Sequence, residues 1–101
     1  MLKIKTPYSD CWVTINHKRY AGNGRHVLEL RDVEDGSIVM IATTNLPHVP
    51  LGPGEVIIKN YSENEGVLEF LQENGIVGPV KCEVPTGWVT CQIVDLLNPP
   101  V

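Results

Sequence analysis

Apolar and polar positions alternate along several stretches of the chain. In residues 26–33 (HVLELRDV), two leucines alternate with a glutamate and an arginine. A period of two turns one set of side chains toward a core and the other toward water, which is typical of a half-buried strand. Residues 12–21 (WVTINHKRYA) mix β-branched and aromatic residues with polar ones and run into AGNG. This pattern predicts a strand followed by a turn.

The next stretch, residues 37–44 (SIVMIATT), is almost continuously apolar and predicts a central strand covered on both faces. Asp35 and Gly36 precede it and suit the two-residue type I′ turn of a hairpin. Residues 45–54 (NLPHVPLGPG) hold three prolines and two glycines. We predict an extended loop there, because proline has no N–H to donate to a sheet.

Residues 60–76 (NYSENEGVLEFLQENGI) predict the one helix of the chain. Ser62 and Glu65 have the spacing of a capping box, in which each side chain bonds the backbone amide of the other residue. The apolar residues of VLEFL cluster on one side at helical spacing. Gly75 is placed to end the helix in the left-handed conformation.

Three further strands are predicted around this helix, at residues 55–60, 80–84 and 88–96. The tail, residues 98–101 (NPPV), ends the last strand. The order β-β-β-loop-β-α-β-β predicts one α+β domain over residues 1–101, with a curved antiparallel sheet of five to six strands and one helix packed on it. The pattern leaves open whether the sheet closes into a barrel.

The cysteines do not form a recognisable site. The sequence has an odd number of cysteines, Cys11, Cys82 and Cys91, and no CxxC motif. It therefore indicates neither a disulfide framework nor a zinc knuckle. Buried thiols are the expectation. If Thr86 and Gly87 form a two-residue loop, the second and third cysteines lie opposite each other on neighbouring strands.

Composition and charge restrict the function classes. The 43% hydrophobic content over 101 residues suffices for one core, and the formal charge is −4 with a pI near 5.2. This charge argues against sequence-independent duplex binding, which needs Lys and Arg to displace counterions from phosphates. The sequence begins without a signal-peptide pattern and has no membrane-spanning run, so we expect a cytoplasmic protein.

Residues that could support catalysis are scattered. His17, His26 and His48 fall in three segments, and none has a second ligand-type residue at helical or hairpin spacing. Serine and threonine occur only in capping or strand contexts, with no GxSxG motif. Residues 22–24 (GNG) resemble the start of a phosphate loop, but a hairpin turn is the better interpretation because no helix follows. We therefore predict neither a metal nor a cofactor, and no enzymatic activity.

The predicted helix has an unusual charge pattern: Glu63, Glu65, Glu69 and Glu73 are present, and no Lys or Arg. The last three are spaced at i, i+4, where like charges weaken an isolated helix by a few tenths of a kcal/mol per pair. One interpretation is a solvated face that keeps the protein soluble. The other is an acidic surface offered to a basic partner.

The aromatic residues of the strands have two interpretations. Core or rim positions are the better one, because the sequence shows no basic groove beside the rings. A stacking surface is the alternative. Single-strand binders stack bases on aromatic rings beside a basic groove. The candidate rings are Trp12, Tyr20 and Trp88. The basic cluster that would have to gather near them is Lys18, Arg19 and Arg25.

The run HVPLGPGEVIIKNYSENEGVLEFLQENGIVGP, followed by PTGWV, resembles a family of small accessory proteins found in bacteriophages, plasmids and other mobile elements of bacteria. The resemblance covers roughly residues 27–96. It implies an accessory protein working in a bacterial cytoplasm, and it brings no catalytic motif. By analogy, small acidic phage proteins of this kind often bind and block a host protein, including nucleases of bacterial defence systems.

Together these observations predict a non-enzymatic protein that binds a bacterial host protein with a basic surface, as an inhibitor of a defence system (anti-CRISPR-like). The predicted contact residues are Glu63, Glu65, Glu69, Glu73 and His48. Two alternatives stay open: a single-stranded nucleic-acid-binding module, and a self-assembling phage structural component that pairs through an exposed edge strand. The oligomeric state is left open as well.

Overall fold

A computed structural model of the protein describes residues 1–97, which form seven strands, a 3-10 turn and one α-helix. In chain order these are β1 (Leu2–Lys5), β2 (Asp10–Arg19), β3 (His26–Asp32), β4 (Ile38–Ile41), β5 (Glu55–Ile58), the 3-10 turn (Ser62–Asn64), α1 (Val67–Glu73), β6 (Val77–Thr86) and β7 (Val89–Leu96). The tail at 98–101 that we expected to end the last strand lies outside the described residues. None of the described helices is long and apolar enough to cross a membrane.

The strands form two antiparallel sheets. The first has the order β1-β2-β3-β4 and the second has the order β5-β7-β6. A single bridge between Thr43 and Ile58 joins the two sheets, and the described strands do not close into a barrel. The α+β class is therefore confirmed, while the structure has seven strands in two sheets where we expected five to six in one. The strand missing from the prediction is β1, which pairs with β2.

The expectation of a central strand over residues 37–44 was wrong. β4 is the last strand of the first sheet, and its Ile38 and Ile41 are exposed. Met40 and Ala42 carry the buried face. The almost continuous apolar run does not reflect a strand covered on both faces. The second half of the run leaves the first sheet, and Thr43 in that half pairs with β5 of the second sheet.

The loop between β3 and β4 is longer than a two-residue hairpin turn. The Asp32 amide donates to the Ser37 carbonyl at 2.8 Å, and the Gly36 amide donates to the Asp32 carbonyl at 2.9 Å. Only Gly36 of the intervening residues has a positive φ, of 75°. The predicted type I′ turn was wrong, because that turn requires positive φ at both central residues.

The last hairpin has a two-residue loop in a different register from the predicted one. Thr86 pairs with Val89, so the loop consists of Gly87 and Trp88. Val84 therefore faces Cys91, and the predicted pairing of Cys82 with Cys91 was wrong. A shift of one residue in the loop moves every cross-strand pair of the hairpin.

Two apolar clusters lie on opposite faces of the second sheet. The main core contains Val56 and Val94 on one face, together with α1 and the inner face of the first sheet. The second core contains Ile57 and Ile93 on the other face, covered by Val49 of the proline-rich loop. Because successive side chains of a strand point to opposite faces, the sheet separates the helix from that loop.

The helix starts differently from the prediction. Gly66 is its N-cap residue, with φ of 95° and no side-chain cap of its own, and neither Ser62 nor Glu65 forms a capping box. Asn60 takes that role, since its Oδ1 accepts hydrogen bonds from the amides of Gly66 at 3.1 Å and Leu68 at 3.0 Å. These bonds satisfy amides that have no partner within the helix.

The helix end is confirmed. The Gly75 amide donates to the Gln72 carbonyl at 3.1 Å, and the Ile76 amide donates to the Leu71 carbonyl at 2.9 Å. This pair of bonds is the Schellman motif, and Gly75 has the positive φ, 69°, that the motif requires. Ile76 then packs against the main core.

Candidate functional site

The four glutamates singled out in the sequence form what we call the acidic segment: Glu63, Glu65, Glu69 and Glu73. All four are exposed. The segment is anchored by the buried Asn64, whose Nδ2 donates to the Ile41 carbonyl at 2.7 Å. The structure therefore places these carboxylates on one anchored stretch of chain between β5 and β6.

The carboxylates differ in their surroundings. Lys59 Nζ lies 2.9 Å from Glu63 Oε1, and this hydrogen bond lowers the pKa of the carboxyl. Glu69 and Glu73 line a cleft of about 390 Å³ together with Lys3 and Lys5 of β1. Lys3 Nζ is paired with Asp10 Oδ1 at 2.8 Å, so Lys5 is the lysine that remains to reduce the net charge at that end of the segment.

Glu65 is the most available member of the acidic segment. It lies between the 3-10 turn and the helix, is exposed, and forms no ion pair within residues 1–97. Glu69 and Glu73 also form no ion pair among these residues, although lysines share their cleft.

His48 lies apart from the acidic segment. It is exposed in the loop that covers the second core, next to the buried Val49. α1 covers the opposite face of the second sheet, so the sheet separates His48 from Glu69 and Glu73. The structure therefore places the predicted contact residues on two surfaces.

The three candidate stacking rings lie on different elements. Trp12 is half-exposed on β2, with Lys3 Nζ 5.9 Å from its ring centre. Tyr20 is half-buried, and its hydroxyl donates to the Thr43 carbonyl at 3.3 Å. Trp88 is fully exposed at the tip of the β6–β7 hairpin. One open sheet face does not carry all three rings, unlike the platform of a single-strand binder.

Two members of the predicted basic cluster are already engaged. Lys18 Nζ lies 3.1 Å from Glu29 Oε2. Arg25 donates from Nη1 to the Leu46 carbonyl at 2.8 Å and from Nη2 to the Val49 carbonyl at 2.5 Å. Arg25 therefore ties the β2–β3 turn to the proline-rich loop.

Glu29 is a buried carboxylate that the alternating pattern placed in water. It receives hydrogen bonds from Asn16 Nδ2 at 3.0 Å and from Arg31 Nε at 2.8 Å, and it pairs with Lys18. The bond from Asn16, followed by those from Arg31 and Lys18, lowers the pKa of Glu29 to about 2. The pairing of β2 with β3 could have indicated this buried carboxylate, because Asn16 lies directly opposite Glu29.

The structure also brings together two histidines that stand in separate segments of the sequence. His17 pairs with Leu28 and His26 pairs with Arg19, so the two imidazoles are diagonal neighbours across β2 and β3. His17 Nε2 and His26 Nδ1 are 2.7 Å apart. The statement that no histidine has a partner at hairpin spacing was therefore wrong.

This distance is that of a hydrogen bond between the two rings. Two imidazole nitrogens bound to one tetrahedral metal ion at about 2.0–2.1 Å would lie about 3.3 Å from each other. The observed 2.7 Å is a hydrogen-bond distance, in which one nitrogen donates and the other accepts. No group of three or more potential metal ligands occurs within residues 1–97.

The surroundings of both imidazoles favour the neutral form. Partial burial lowers the pKa of His17 and of His26 below the ordinary 6.5, and the charge of Arg19 lowers both further. The charge of His17 adds a smaller effect of the same sign on His26. Protonation of both rings would place two positive charges at hydrogen-bond distance beside a guanidinium.

We expect the free energy of unfolding to decrease as the pH falls below about 6.5, the ordinary histidine pKa. The folded-state pKa values are lowered, so the unfolded chain binds more protons, and stability is present above 6.5 and lost as the pH falls through the folded values. Urea unfolding between pH 8 and 5 measures this. His17→Gln/His26→Gln should flatten the profile, and the exposed control His48→Gln should retain it. A drop unchanged in the double variant would contradict the prediction.

The cysteines agree only in part with the expectation of buried thiols. Cys91 is buried and Cys11 is half-buried, and in both cases burial is the main effect that raises the pKa of the thiol. Cys82 is exposed on β6. The expectation was wrong for Cys82 because β6 is the outer strand of the second sheet, where most side chains of residues 79–83 reach solvent.

Comparisons of this chain with protein-family models, with curated proteins and with solved structures found no match. Its class is therefore given by its own architecture, an α+β domain of two antiparallel sheets and one short helix.

Proposed function

We propose that this protein is a non-enzymatic accessory factor that binds a host protein through the acidic segment. One observation carries this proposal: the four carboxylates are exposed on one anchored stretch of chain, and three of them form no ion pair within residues 1–97. A basic partner surface would supply the missing counterions, accelerate association and select this side of the molecule.

The biological setting of the proposal comes from the resemblance to mobile-element proteins. It makes the chain an accessory protein of a bacteriophage or plasmid, acting in a bacterial cytoplasm. The partner would be a host protein with a basic surface, such as a nucleic-acid-binding component of a defence system, because such components carry Lys and Arg to bind phosphates. Blocking that surface is an inhibitory activity that requires no catalytic group.

Lys5 makes the contribution of the acidic segment uneven. A partner cation near Glu69 or Glu73 has to compete with Lys5, which lines the same cleft, whereas Glu65 does not line that cleft. Exposed charges are screened by salt beyond about 8 Å at physiological ionic strength. We therefore expect binding to depend strongly on salt and most of all on Glu65.

The alternative of self-assembly is disfavoured at one edge of the fold. β6 is an outer strand of the second sheet, and it contains Pro79 and Pro85. Proline on an edge strand removes an N–H and limits pairing with another strand. The prolines therefore disfavour pairing of identical copies through β6, whereas β1 and β4, the outer strands of the first sheet, contain no proline.

The test is affinity capture from bacterial lysate at low and high salt. Glu65→Lys and the triple reversal of Glu65, Glu69 and Glu73 should each weaken capture of a specific protein by about tenfold or more, since like charges then meet. Glu34→Lys is the matched control, because Glu34 is exposed on the β3–β4 loop and likewise forms no ion pair among the described residues. Equal capture by all variants would exclude the acidic segment as the contact surface.

A further inference from the structure

A second surface lies at the end of the β2–β3 hairpin, and none of the residues that line it belongs to the acidic segment. A cleft of about 300 Å³ opens between the turn at residues 20–25 and the loop at residues 51–55. Arg19, Arg25 and His26 line it on the hairpin side. This volume is at the lower end of the range for small-molecule sites.

The charge of this cleft is opposite to that of the whole protein. Its single carboxylate is Glu55, which accepts hydrogen bonds from Lys81 Nζ at 2.6 Å and from the Gly52 amide at 2.5 Å. Lys81 lies outside the cleft and offsets part of the charge of Glu55, because it also pairs with Asp95 at 3.2 Å. Two guanidinium groups and one imidazole remain, in a chain whose formal charge is −4.

The cationic groups are held in place before any ligand arrives. Arg25 is fixed by the carbonyls of Leu46 and Val49. Arg19 uses Nη1 for the Gly24 carbonyl at 2.9 Å, which leaves most of its five N–H donors for a ligand. Preorganised donors bind an anion more tightly because less side-chain entropy is lost on binding.

The histidine pair determines what His26 can offer. Its Nδ1 faces His17 Nε2, so Nε2 is the nitrogen left for a ligand. When Nδ1 accepts the hydrogen of His17, the single hydrogen of a neutral His26 resides on Nε2 and can be donated. An anion favours this tautomer, because an anion accepts hydrogen bonds.

We propose that this cleft binds the phosphate group of a small phosphate-bearing ligand, with Arg19 and His26 as direct donors and Arg25 as a fixed positive wall. Arginine matches phosphate oxygens with two parallel hydrogen bonds, and a phosphate has three terminal oxygens to share among several donors. The site goes beyond the proposed host-protein contact and uses none of its residues.

The probes are inorganic phosphate and a nucleoside monophosphate, titrated into the full chain at constant ionic strength, with binding followed through the imidazole NMR signals. Saturable binding with a Kd of about 1 mM or tighter is expected for at least the monophosphate. Arg19→Gln should weaken it about tenfold, since a charge-assisted pair of bonds is lost. His26→Gln should weaken it as well, and circular dichroism checks that both variants are folded.

Lys5→Gln is the matched control, because it removes one positive charge and lies in a different cleft. It should change the Kd by less than about twofold, as expected for a distant exposed charge. Equal weakening by Arg19→Gln and Lys5→Gln, or no saturation, would overturn the proposal. A single-stranded oligonucleotide whose affinity rises with length and falls in Trp12→Ala or Trp88→Ala would replace it with strand binding. Arg19→Gln should leave host-protein capture unchanged, so the two proposals can fail separately.

Discussion

Ile58→Ala is expected to lower the free energy of unfolding by about 2–5 kcal/mol, the range for removing most of a buried isoleucine side chain. Ile58 is 0% exposed in the main core. It also lies at the bridge to Thr43, the backbone pairing that joins the two sheets. The cavity therefore forms where the two halves of the fold meet, and such a loss is a large part of the about 5–15 kcal/mol that stabilises a domain.

Ile38→Ala is the matched control for this variant. The same atoms are removed, but Ile38 is 48% exposed at the outer strand of the first sheet. Ile38→Ala should lower the free energy of unfolding by less than about 1 kcal/mol, as for most surface substitutions. Urea unfolding measures both variants, with an unchanged m-value showing that both still unfold from the same compact state. Equal losses would mean that Ile58 is not at the centre of the core.

The period-two and helical patterns identified most strands and the helix because they depend only on which face of an element is buried. The end of the helix was predictable for the same local reason: the left-handed conformation of Gly75 follows from the residue type. The start was not, because Asn60 caps the helix from outside it, on the stretch that leads out of β5. Residue spacing favoured Ser62 and Glu65, and the folded chain used a residue farther away.

The features that the sequence did not reveal depend on register. His17 and His26 meet only because the turn between β2 and β3 has the length that makes them diagonal neighbours. Cys82 and Cys91 fail to meet because the last loop is shifted by one residue. The alternation of side chains along one strand does not show which residues of the next strand lie opposite. That alignment is set by turn geometry.

The acidic segment illustrates a similar limit for candidate sites. The sequence shows correctly that the segment from Glu63 to Glu73 contains no lysine or arginine. Lys3 and Lys5 reach the same cleft from β1, a strand that the hydrophobic pattern did not reveal. Charge balance at a surface is a property of the tertiary fold, so it could not be predicted from the composition of one helix.

The second large effect is expected at Gly66, where the chain enters α1. Gly66→Ala should destabilise the protein by about 2–4 kcal/mol, the sum of a left-handed backbone penalty and of crowding in a packed site. Gly66 has φ of 95°, and a Cβ there would lie 3.0 Å from Thr6 Cγ2 and 3.2 Å from Thr6 Cβ. The helix start packs directly on Thr6 in the loop between β1 and β2, so a methyl group would require Thr6 to shift by a few tenths of an ångström.

Two comparisons separate crowding from backbone strain. Gly75→Ala should cost about 1–2 kcal/mol, because Gly75 has φ of 69° but a methyl group there would meet no atom of residues 1–97 within 4 Å. Thr6→Ser removes Cγ2 and retains the hydroxyl that accepts hydrogen bonds from the amides of Tyr8 and Ser9. Gly66→Ala should therefore destabilise the protein less in the Thr6→Ser background than in the natural sequence, and its cost should come closer to that of Gly75→Ala. A double-mutant cycle measures this coupling by urea unfolding. Additive losses would show that Thr6 does not restrict the space at Gly66, and that backbone conformation alone requires glycine there.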